Sequence, residues 1–254
     1  MALDKRIPAA PPAVSILVYR LCLPWMFLKR TILSSKLKRA VMERVRGREF
    51  IVWPGVLNPV IFRAGRYLAE FLQDTPLIRV NANDPPTALD LGTGCGILAV
   101  FAAARGYNVT AVDIEPRAVS CARANAILNK LEDKIRVVEG DLFARVAGLS
   151  FDLVVFNLPF FRGIPHRPFE RAWKSPDVIE RCALGLPGAL KPDGVALFVL
   201  SSHGEPQAML DGMTRNGLEV ERVSSRHFGV ETMAIYAARH KPGDAHEERA
   251  PSHE

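Results

Sequence analysis

The residues best suited to chemistry lie in a glycine-rich turn between a strand pattern and a helix pattern. The segment Asp90-Leu91-Gly92-Thr93-Gly94-Cys95-Gly96 ends a short apolar run and precedes an alanine-rich stretch. Alternating glycines let a backbone turn sharply and leave room for a ligand to lie against it. The turn therefore predicts a nucleotide-type binding site, although glycines alone do not identify the ligand.

The spacing of the glycines and the position of Asp90 favour one ligand over another. Gly96 comes one residue earlier than the last glycine of the G-x-G-x-x-G pattern found in dinucleotide sites. In such sites the helix N-terminus faces a pyrophosphate, which Asp90 would repel. S-adenosylmethionine (SAM) carries an ammonium and a sulfonium group instead, and a carboxylate favours both. We therefore expect Asp90, Gly92, Gly94 and Gly96 to bind SAM.

Two further carboxylates follow the next two strand patterns. Asp113 ends the pattern at 108–114, where an acid can accept both hydroxyls of a ribose, and Asp141 follows the pattern at 135–140. The Asp141 side chain can reach the exocyclic amine of an adenine. Because the carboxyl ends of parallel strands share one edge of a sheet, we expect these acids and Asp90 to face one crevice.

The residues that end the fourth strand pattern could orient a methyl acceptor. They are Asn157-Leu158-Pro159-Phe160. The Asn157 carbonyl can accept a hydrogen bond from a planar amide or amino group, the backbone carbonyls that follow can accept a second, and Phe160 can stack on the acceptor. Alignment of this kind needs little acid–base chemistry. Asn157, Pro159 and Phe160 are our candidate catalytic residues, and Asn157 also lies beside the predicted cofactor.

Alternating strand and helix patterns over residues 50–239 predict an α/β fold with a mostly parallel sheet. Strand patterns occupy 87–92, 108–114, 135–140, 151–157, 194–201, 218–226 and 231–239, and the last two are joined by a turn near Gly229. Helices are expected to begin near Gly96, Pro116 and Pro176, with another at about 205–216. We predict a Rossmann-like, seven-stranded sheet with an antiparallel C-terminal hairpin.

Residues 87 to about 200 resemble class I SAM-dependent methyltransferases, and 157–160 resembles the Asn-Pro-Pro-Tyr/Phe motif of the HemK/PrmC-like "small methyltransferase" branch. The resemblance implies that the turn at 90–96 binds the methionine portion, Asp113 the ribose and Asp141 the adenine. The segment 54–59, with a helix to about Leu72, is similar to the part of these enzymes that covers the cofactor. Leu158 stands where the family has its first proline.

This segment and helix, which we call the lead-in segment, also depart from the glutamine-modifying members of this branch. Arg63-Ala64-Gly65 stands where those enzymes usually carry an acid. Residues 161–173 contain three arginines and three aromatic residues and could form a lid over the acceptor. Within them, His166 or Glu170 could act as a base if the acceptor must lose a proton. The alternative interpretation of 161–173 is a surface loop with solvated arginines.

The excess positive charge lies at the N-terminus. Residues 1–50 contain eleven Lys or Arg and three acids, a net of +8, whereas the remaining 22 basic and 24 acidic residues give −2. We interpret 1–49 as a basic, helical extension, 50–239 as the methyltransferase domain and 240–254 as a disordered tail. The extension could meet an anionic partner or lie on a membrane surface, or its helix could pack on the enzyme.

The remaining composition bounds the cellular setting. The four cysteines form no C-x-x-C pair, so we expect neither a metal site nor a disulfide framework. The apolar stretch Leu21–Leu28 is far shorter than the roughly 20 residues needed to span a bilayer. We therefore predict a cytoplasmic protein that could be peripheral at a membrane.

The sequence leaves the methyl acceptor open. The leading hypothesis is N-methylation of a planar nitrogen in RNA or protein, with the basic extension contacting phosphates. The alternative is a methyltransferase for a small or lipid-like metabolite, with or without a phosphate group. A non-catalytic SAM-binding scaffold is a minor alternative.

Overall fold

The described part of the chain alternates strands and helices. In this computed structural model it comprises residues 39–78, 84–158, 161–164, 174–203, 205–229 and 231–242. The strands are β1 (Val41–Val45), β2 (Arg48–Val52), β3 (Thr87–Leu91), β4 (Asn108–Asp113), β5 (Ile135–Glu139), β6 (Phe151–Phe156), β7 (Phe161–Arg162), β8 (Lys174–Ser175), β9 (Leu190–Ser201), β10 (Leu218–Phe228) and β11 (Glu231–His240). The helices are α1 (Ala64–Asp74), α2 (Ile97–Ala104), α3 (Pro116–Leu128), α4 (Val178–Ala189) and α5 (Pro206–Arg215).

Seven of these strands form one sheet in the order β10-β11-β9-β6-β3-β4-β5. The pairs β3–β4, β4–β5, β3–β6 and β6–β9 are parallel, whereas β11 runs antiparallel to both β9 and β10. The predicted seven-stranded, mostly parallel sheet with an antiparallel C-terminal hairpin is confirmed. The strand order reverses beside β3, and ligands of open α/β sheets bind at such a point.

Both faces of the sheet are covered, which explains why its central strands are apolar throughout. Successive side chains of a strand point to opposite faces, so Ala88 packs in one core cluster and Leu89 in the other. The first cluster includes residues of the β1–β2 hairpin and of α1, α2 and α3; the second includes residues of α4 and α5. The sheet is therefore held rigidly between two layers, and its carboxyl edge can position ligand-binding groups.

The β1–β2 hairpin corrects the predicted N-terminal boundary. β1 and β2 pair antiparallel around Arg46 and Gly47, whose φ angles are 49° and 83°. Positive φ at both turn residues is typical of two-residue hairpin loops. The prediction of helix is thus wrong for residues 41–49, where the side chains of β1 alternate between more buried and exposed positions as in a strand; residues 14–38 lie outside the described part. Phe50 and Val52 are buried in the main core, so the hairpin packs with the body.

The other boundaries lie close to their predicted positions. α2, α3, α4 and α5 begin at or within two residues of the expected starts, while β9 begins at Leu190, directly after α4 and four residues earlier than predicted. His240, assigned to the tail, is the last residue of β11, and residues 243–254 lie outside the described part. Each helix in the described part is too short or too polar to cross a membrane.

Candidate active site

A cavity of about 340 Å³ opens where β3, β4 and β6 end. Its floor includes the glycine turn after β3, Asp113 at the end of β4 and Asn157 after β6. The lead-in segment before α1 forms a second wall, and residues from Lys174 to Arg181 form a third. The volume lies within the range of small-molecule and cofactor sites.

The three glycines of the turn are needed for different structural reasons. Gly92, Gly94 and Gly96 all have positive φ, at 72°, 57° and 82°. A Cβ on Gly92 would lie 2.9 Å from Cδ2 of Leu158, and a Cβ on Gly96 would lie 3.1 Å from Ala122 in α3. A Cβ on Gly94 would meet no atom within 4 Å, although Gly94 lines the cavity. The turn is thus packed tightly at both ends and leaves space beside its middle.

Asp90 lies behind the turn and is absent from the cavity wall. It is fully buried, and its Oδ2 accepts hydrogen bonds from the Thr93 hydroxyl at 2.6 Å and from the Ala99 N–H at 2.9 Å. Its Oδ1 is also buried and has no partner among the described residues. Burial raises the pKa of this carboxyl to about 7. Asp90 therefore fixes the turn and the start of α2, and its predicted contact with a cofactor stays a prediction.

Asp113 lines the cavity and also supports the turn. Its Oδ2 accepts a hydrogen bond from the Gly94 N–H at 2.8 Å, and its Oδ1 accepts one from the Glu115 N–H at 3.0 Å. Burial raises the pKa of its carboxyl above the ordinary value. Each carboxylate oxygen has a second lone pair, so Asp113 can still accept two hydroxyl groups from a ligand.

Asp141 lies on the cavity wall opposite the start of α4 and forms an ion pair there. Nη2 of Arg181 donates to its Oδ2 at 2.7 Å, and this hydrogen bond raises the pKa of the guanidinium. Both side chains are more than 40% exposed, so the pair lies at the rim. Arg181 could not be predicted as the partner of Asp141, because it lies 40 residues further along the chain.

Asn157 lies at the point where the cavity meets the lead-in segment. Its Oδ1 is buried and has no partner among the described residues. A Cβ on Gly65 would lie 3.5 Å from its Nδ2, at ordinary van der Waals distance, so the amide packs against the start of α1. Leu158 is buried against Gly92, which couples this loop to the glycine turn. An unpaired buried amide oxygen costs about 1–3 kcal/mol, so a partner at this position is favoured.

Several predicted residues lie outside the described part of the chain. They are Pro159, Phe160, His166 and Glu170. Their proposed roles stay predictions. The backbone at the start of the predicted lid, 161–173, and directly after it is described. There β7 pairs in parallel with β8, with Phe161 opposite Lys174 and Arg162 opposite Ser175. This pairing brings the two ends of the 163–173 segment together beside the cavity, because Lys174 and Ser175 both line it.

The lead-in segment is fixed by a buried asparagine. Asn58 is 2% exposed, and its Oδ1 accepts from the N–H groups of Val60 and Ile61 at 2.9 and 3.1 Å. Its Nδ2 donates to Oε1 of Glu43 in β1 at 2.9 Å. The hairpin therefore holds the lead-in wall in place.

A second asparagine, which the sequence analysis did not single out, joins the hairpin to the glycine turn. Asn125 in α3 is fully buried. Its Oδ1 accepts from the Ile51 N–H at 2.7 Å, and its Nδ2 donates to the carbonyls of Ile51 and Cys95 at 2.8 Å each. A polar residue on the otherwise apolar face of α3 was the available signal. We call these three hydrogen bonds the Asn125 bridge.

The residues present fit SAM. The cavity offers open space beside Gly94, a carboxylate at Asp113 with free lone pairs, and a rim carboxylate at Asp141. Asn157 lies beside these groups with an acceptor atom that no described residue satisfies. The cavity also contains Cys95, but burial strongly raises the pKa of its thiol, which keeps it neutral and unreactive.

Comparison with known proteins gives the same assignment. The model of the methyltransferase small domain matches residues 66–226, which is more than half of the chain. A protein of Methanocaldococcus jannaschii assigned as an N5-glutamine methyltransferase is 30% identical over 147 residues, which cover 54% of this chain and 73% of that protein.

Other relatives match over shorter stretches. The tRNA1(Val) (adenine(37)-N6)-methyltransferase of Porphyromonas gingivalis is 37% identical over 91 residues, 33% of this chain and 36% of that enzyme. The chain thus aligns with only about a third of that enzyme's length. The 16S rRNA N2 G1207 methyltransferase RsmC of T. thermophilus, solved with AdoMet and guanosine, shares the fold at a TM-score of 0.55 with 20% identity, over 79% of this chain and 50% of that one.

The fold, the cavity at the carboxyl edge of the sheet and the family match confirm the resemblance seen in the sequence. The chain belongs to the methyltransferase small domain family, whose members are SAM-dependent methyltransferases.

Proposed function

We propose that this protein transfers the methyl group of SAM to a planar nitrogen in RNA or protein. The observation that carries the proposal is the buried, unpartnered Oδ1 of Asn157 beside the cavity. An N–H of an amide or exocyclic amine supplies the missing donor. Because the terminal torsion of an asparagine is broad, the amide can turn its carbonyl toward the cavity when an acceptor enters.

The chain's own residues divide the work as follows. Gly94 leaves room for the methionine portion, while Gly92 and Gly96 let the turn pack against Leu158 and Ala122. Asp113 accepts the ribose hydroxyls, and Asp141 accepts the adenine amine. SAM supplies an electrophilic methyl group when it is bound. Asn157 and the backbone carbonyl that follows it hold the acceptor nitrogen with its lone pair toward that methyl, so that positioning supplies most of the rate enhancement.

The acceptor class is proposed from chemistry and from the relatives. The names of similar proteins specify adenine in tRNA, the small-subunit rRNA, ribosomal protein L11 and glutamine in release factors. Where these names specify the atom, it is a planar nitrogen, and a single asparagine carbonyl can serve adenine and glutamine alike. The proposed phosphate contacts of the basic extension concern residues 1–49, of which 1–38 lie outside the described part.

The test is incubation with methyl-labelled SAM and a fractionated cell extract, using the wild type and the variants Asn157→Ala and Asn157→Asp. We expect label in the RNA or protein fraction and a loss of about 100-fold in Asn157→Ala, because one positioning contact is removed. Cofactor binding, measured by calorimetry, should be retained in both variants.

Two results would contradict the proposal. Label that enters only small molecules would support the metabolite alternative, and unchanged transfer by Asn157→Ala would remove the role of the amide. Cofactor binding by the wild type with no labelled product in any fraction would favour the non-catalytic scaffold.

A further inference from the structure

Three arginines lie together where α1 meets the edge strand β10. Arg63 precedes α1, Arg66 is in its first turn, and Arg226 is near the end of β10. All three are exposed; the side chains of Arg66 and Arg226 are 45% and 53% accessible. We call these residues the arginine strip.

An aromatic pair holds two of the guanidinium groups in place. The rings of Tyr67 and Phe228 meet edge to face with centroids 6.1 Å apart. The Arg226 guanidinium lies 4.8 Å from the centre of the Tyr67 ring, and that of Arg63 lies 5.5 Å from the centre of the Phe228 ring. The Tyr67 hydroxyl is hydrogen-bonded to Ser224 at 2.7 Å, which fixes the ring. Stacking of this kind orders an arginine while leaving its N–H donors available.

The strip carries more positive charge than its neighbours neutralise. Glu70 is the carboxylate shared by Arg66, at 2.8 Å, and Arg226, at 3.5 Å. Within the described residues Arg63 has no carboxylate within ion-pair distance. Three guanidinium groups facing one carboxylate leave a local excess of two positive charges, and such an excess attracts a polyanion.

The strip reaches the mouth of the active-site cavity. Phe62 and Gly65 line that cavity, and Arg63 lies between them in the chain. Arg63 has φ 53° and ψ −35°, and the Ala64 N–H donates to the Phe62 carbonyl at 2.5 Å across it. This tight, strained turn is costly for a residue other than glycine. Two residues span at most about 7 Å, so Arg63 lies next to the position that we assign to the acceptor.

We infer that the arginine strip binds the phosphate backbone of an RNA whose target base enters the cavity beside Asn157. The inference rests on the proposed function and narrows its acceptor to RNA. An RNA strand presents a phosphate at every nucleotide, so adjacent phosphates can meet successive guanidinium groups while one base turns inward. A protein acceptor would need acidic residues at a matching spacing.

The experiment measures RNA binding by the full chain with S-adenosylhomocysteine present, so that no methyl transfer occurs. The probe is a fluorescein-labelled single-stranded RNA of 20 nucleotides and mixed sequence, titrated at 50–300 mM KCl. The test variant is Arg63→Gln/Arg226→Gln. Losing two phosphate contacts should reduce the slope of log K against log salt by about 1.4 and weaken binding about 25-fold at 0.1 M salt.

Two matched variants serve as controls. Lys134→Gln/Arg136→Gln removes the same charge from exposed residues at and beside β5, on the opposite edge of the sheet, and should leave the slope unchanged. Arg63→Lys/Arg226→Lys keeps the charge and should retain the salt slope. Calorimetric binding of S-adenosylhomocysteine by every variant shows that the fold and the cofactor site are intact.

The inference is overturned if the strip and control variants weaken RNA binding equally, or if the strip variant binds as the wild type does. Labelled methyl transfer decides the proposed function separately. Label in RNA, together with unchanged RNA binding by the strip variant, would refute only the proposed role of the arginine strip. Label in protein, with no RNA binding by the wild type, would refute the proposed role of the arginine strip and support methylation of a protein acceptor.

Discussion

Replacing Asn125 with alanine should destabilise the protein and loosen its cofactor site together. The Asn125 bridge joins β2, which leads into one wall of the cavity, to the carbonyl of Cys95 in the glycine turn. Alanine removes all three hydrogen bonds from a fully buried position. The effect should therefore reach both the free energy of unfolding and the affinity for SAM.

The magnitude follows from the groups that lose their partner. The Ile51 carbonyl also accepts a bond from Sγ of Cys121 at 3.2 Å, so it stays partly satisfied. The Ile51 N–H and the Cys95 carbonyl do not, and each buried unpaired group costs about 1–3 kcal/mol. We expect a loss of about 2–6 kcal/mol, which is a large part of the roughly 5–15 kcal/mol typical of a folded domain.

Urea unfolding followed by circular dichroism measures this loss, and calorimetry measures SAM binding by the fraction that is folded. With a slope of about 2 kcal/mol per molar, the midpoint should fall by roughly 1–3 M. SAM affinity should weaken about tenfold. Asn129→Ala is the matched control, since Asn129 caps the C-terminus of the same helix and donates to the Glu49 carbonyl at 2.9 Å in an exposed position.

The control should lose less than about 1 kcal/mol because water can replace its bonds. The reasoning is refuted if Asn125→Ala loses no more than Asn129→Ala. A strongly destabilised Asn125→Ala that still binds SAM with wild-type affinity would refute only the link between the bridge and the cofactor site.

Three further predictions concern the glycine turn and the carboxylates around it. Gly92→Ala should lower the free energy of unfolding by about 1–2 kcal/mol for its left-handed φ and by about 1–3 kcal/mol for the contact with Leu158. In urea unfolding, adding Leu158→Ala to the same chain should relieve only the loss caused by the contact. Strictly additive losses from the two substitutions would contradict that contact. Burial raises the pKa of Asp90 to about 7 in the folded state, so its ionisation costs stability as pH rises from about 4 to 7. The free energy of unfolding of Asp90→Asn should therefore improve relative to the wild type by up to about 4 kcal/mol over that window, whereas parallel pH profiles would count against the buried charge. Asp141→Asn should weaken SAM binding about tenfold by calorimetry, and unchanged binding would contradict the predicted role of Asp141. Arg181→Ala should change the free energy of unfolding by less than about 1 kcal/mol because the ion pair is exposed.

The sheet and the carboxyl-edge crevice were predictable because they depend on local patterns. Strand and helix periods fix the element order, and parallel strands bring Asp113, Asp141 and Asn157 to one edge whatever the loops do. The β1–β2 hairpin was missed because its sequence is basic and its apolar residues do not alternate regularly with polar ones, so the strand period appears only in the burial of the side chains. Arg46-Gly47 between these runs was the overlooked hairpin signal.

The roles of individual polar groups depend on tertiary packing, which cannot be predicted from the spacing of residues in the sequence. The sequence predicted a ligand contact for Asp90 but not its structural role: it accepts hydrogen bonds from the Thr93 hydroxyl and from the Ala99 N–H in α2. Asn125 meets Ile51 across 74 residues of sequence, and Arg181 meets Asp141 across 40. Contacts over such separations follow from the tertiary fold and leave no local pattern.

The central claim is that the cavity in front of Asn157 binds SAM, and calorimetric titration tests it most directly. We expect the wild type to bind SAM and S-adenosylhomocysteine with dissociation constants in the range of about 1 µM to 1 mM that is usual for enzyme ligands. Asp113→Ala should lose most of that binding, because the carboxylate lines the cavity at the position proposed for the ribose and supports Gly94. An absence of binding heat at millimolar ligand, with circular dichroism showing folded protein, would contradict the account.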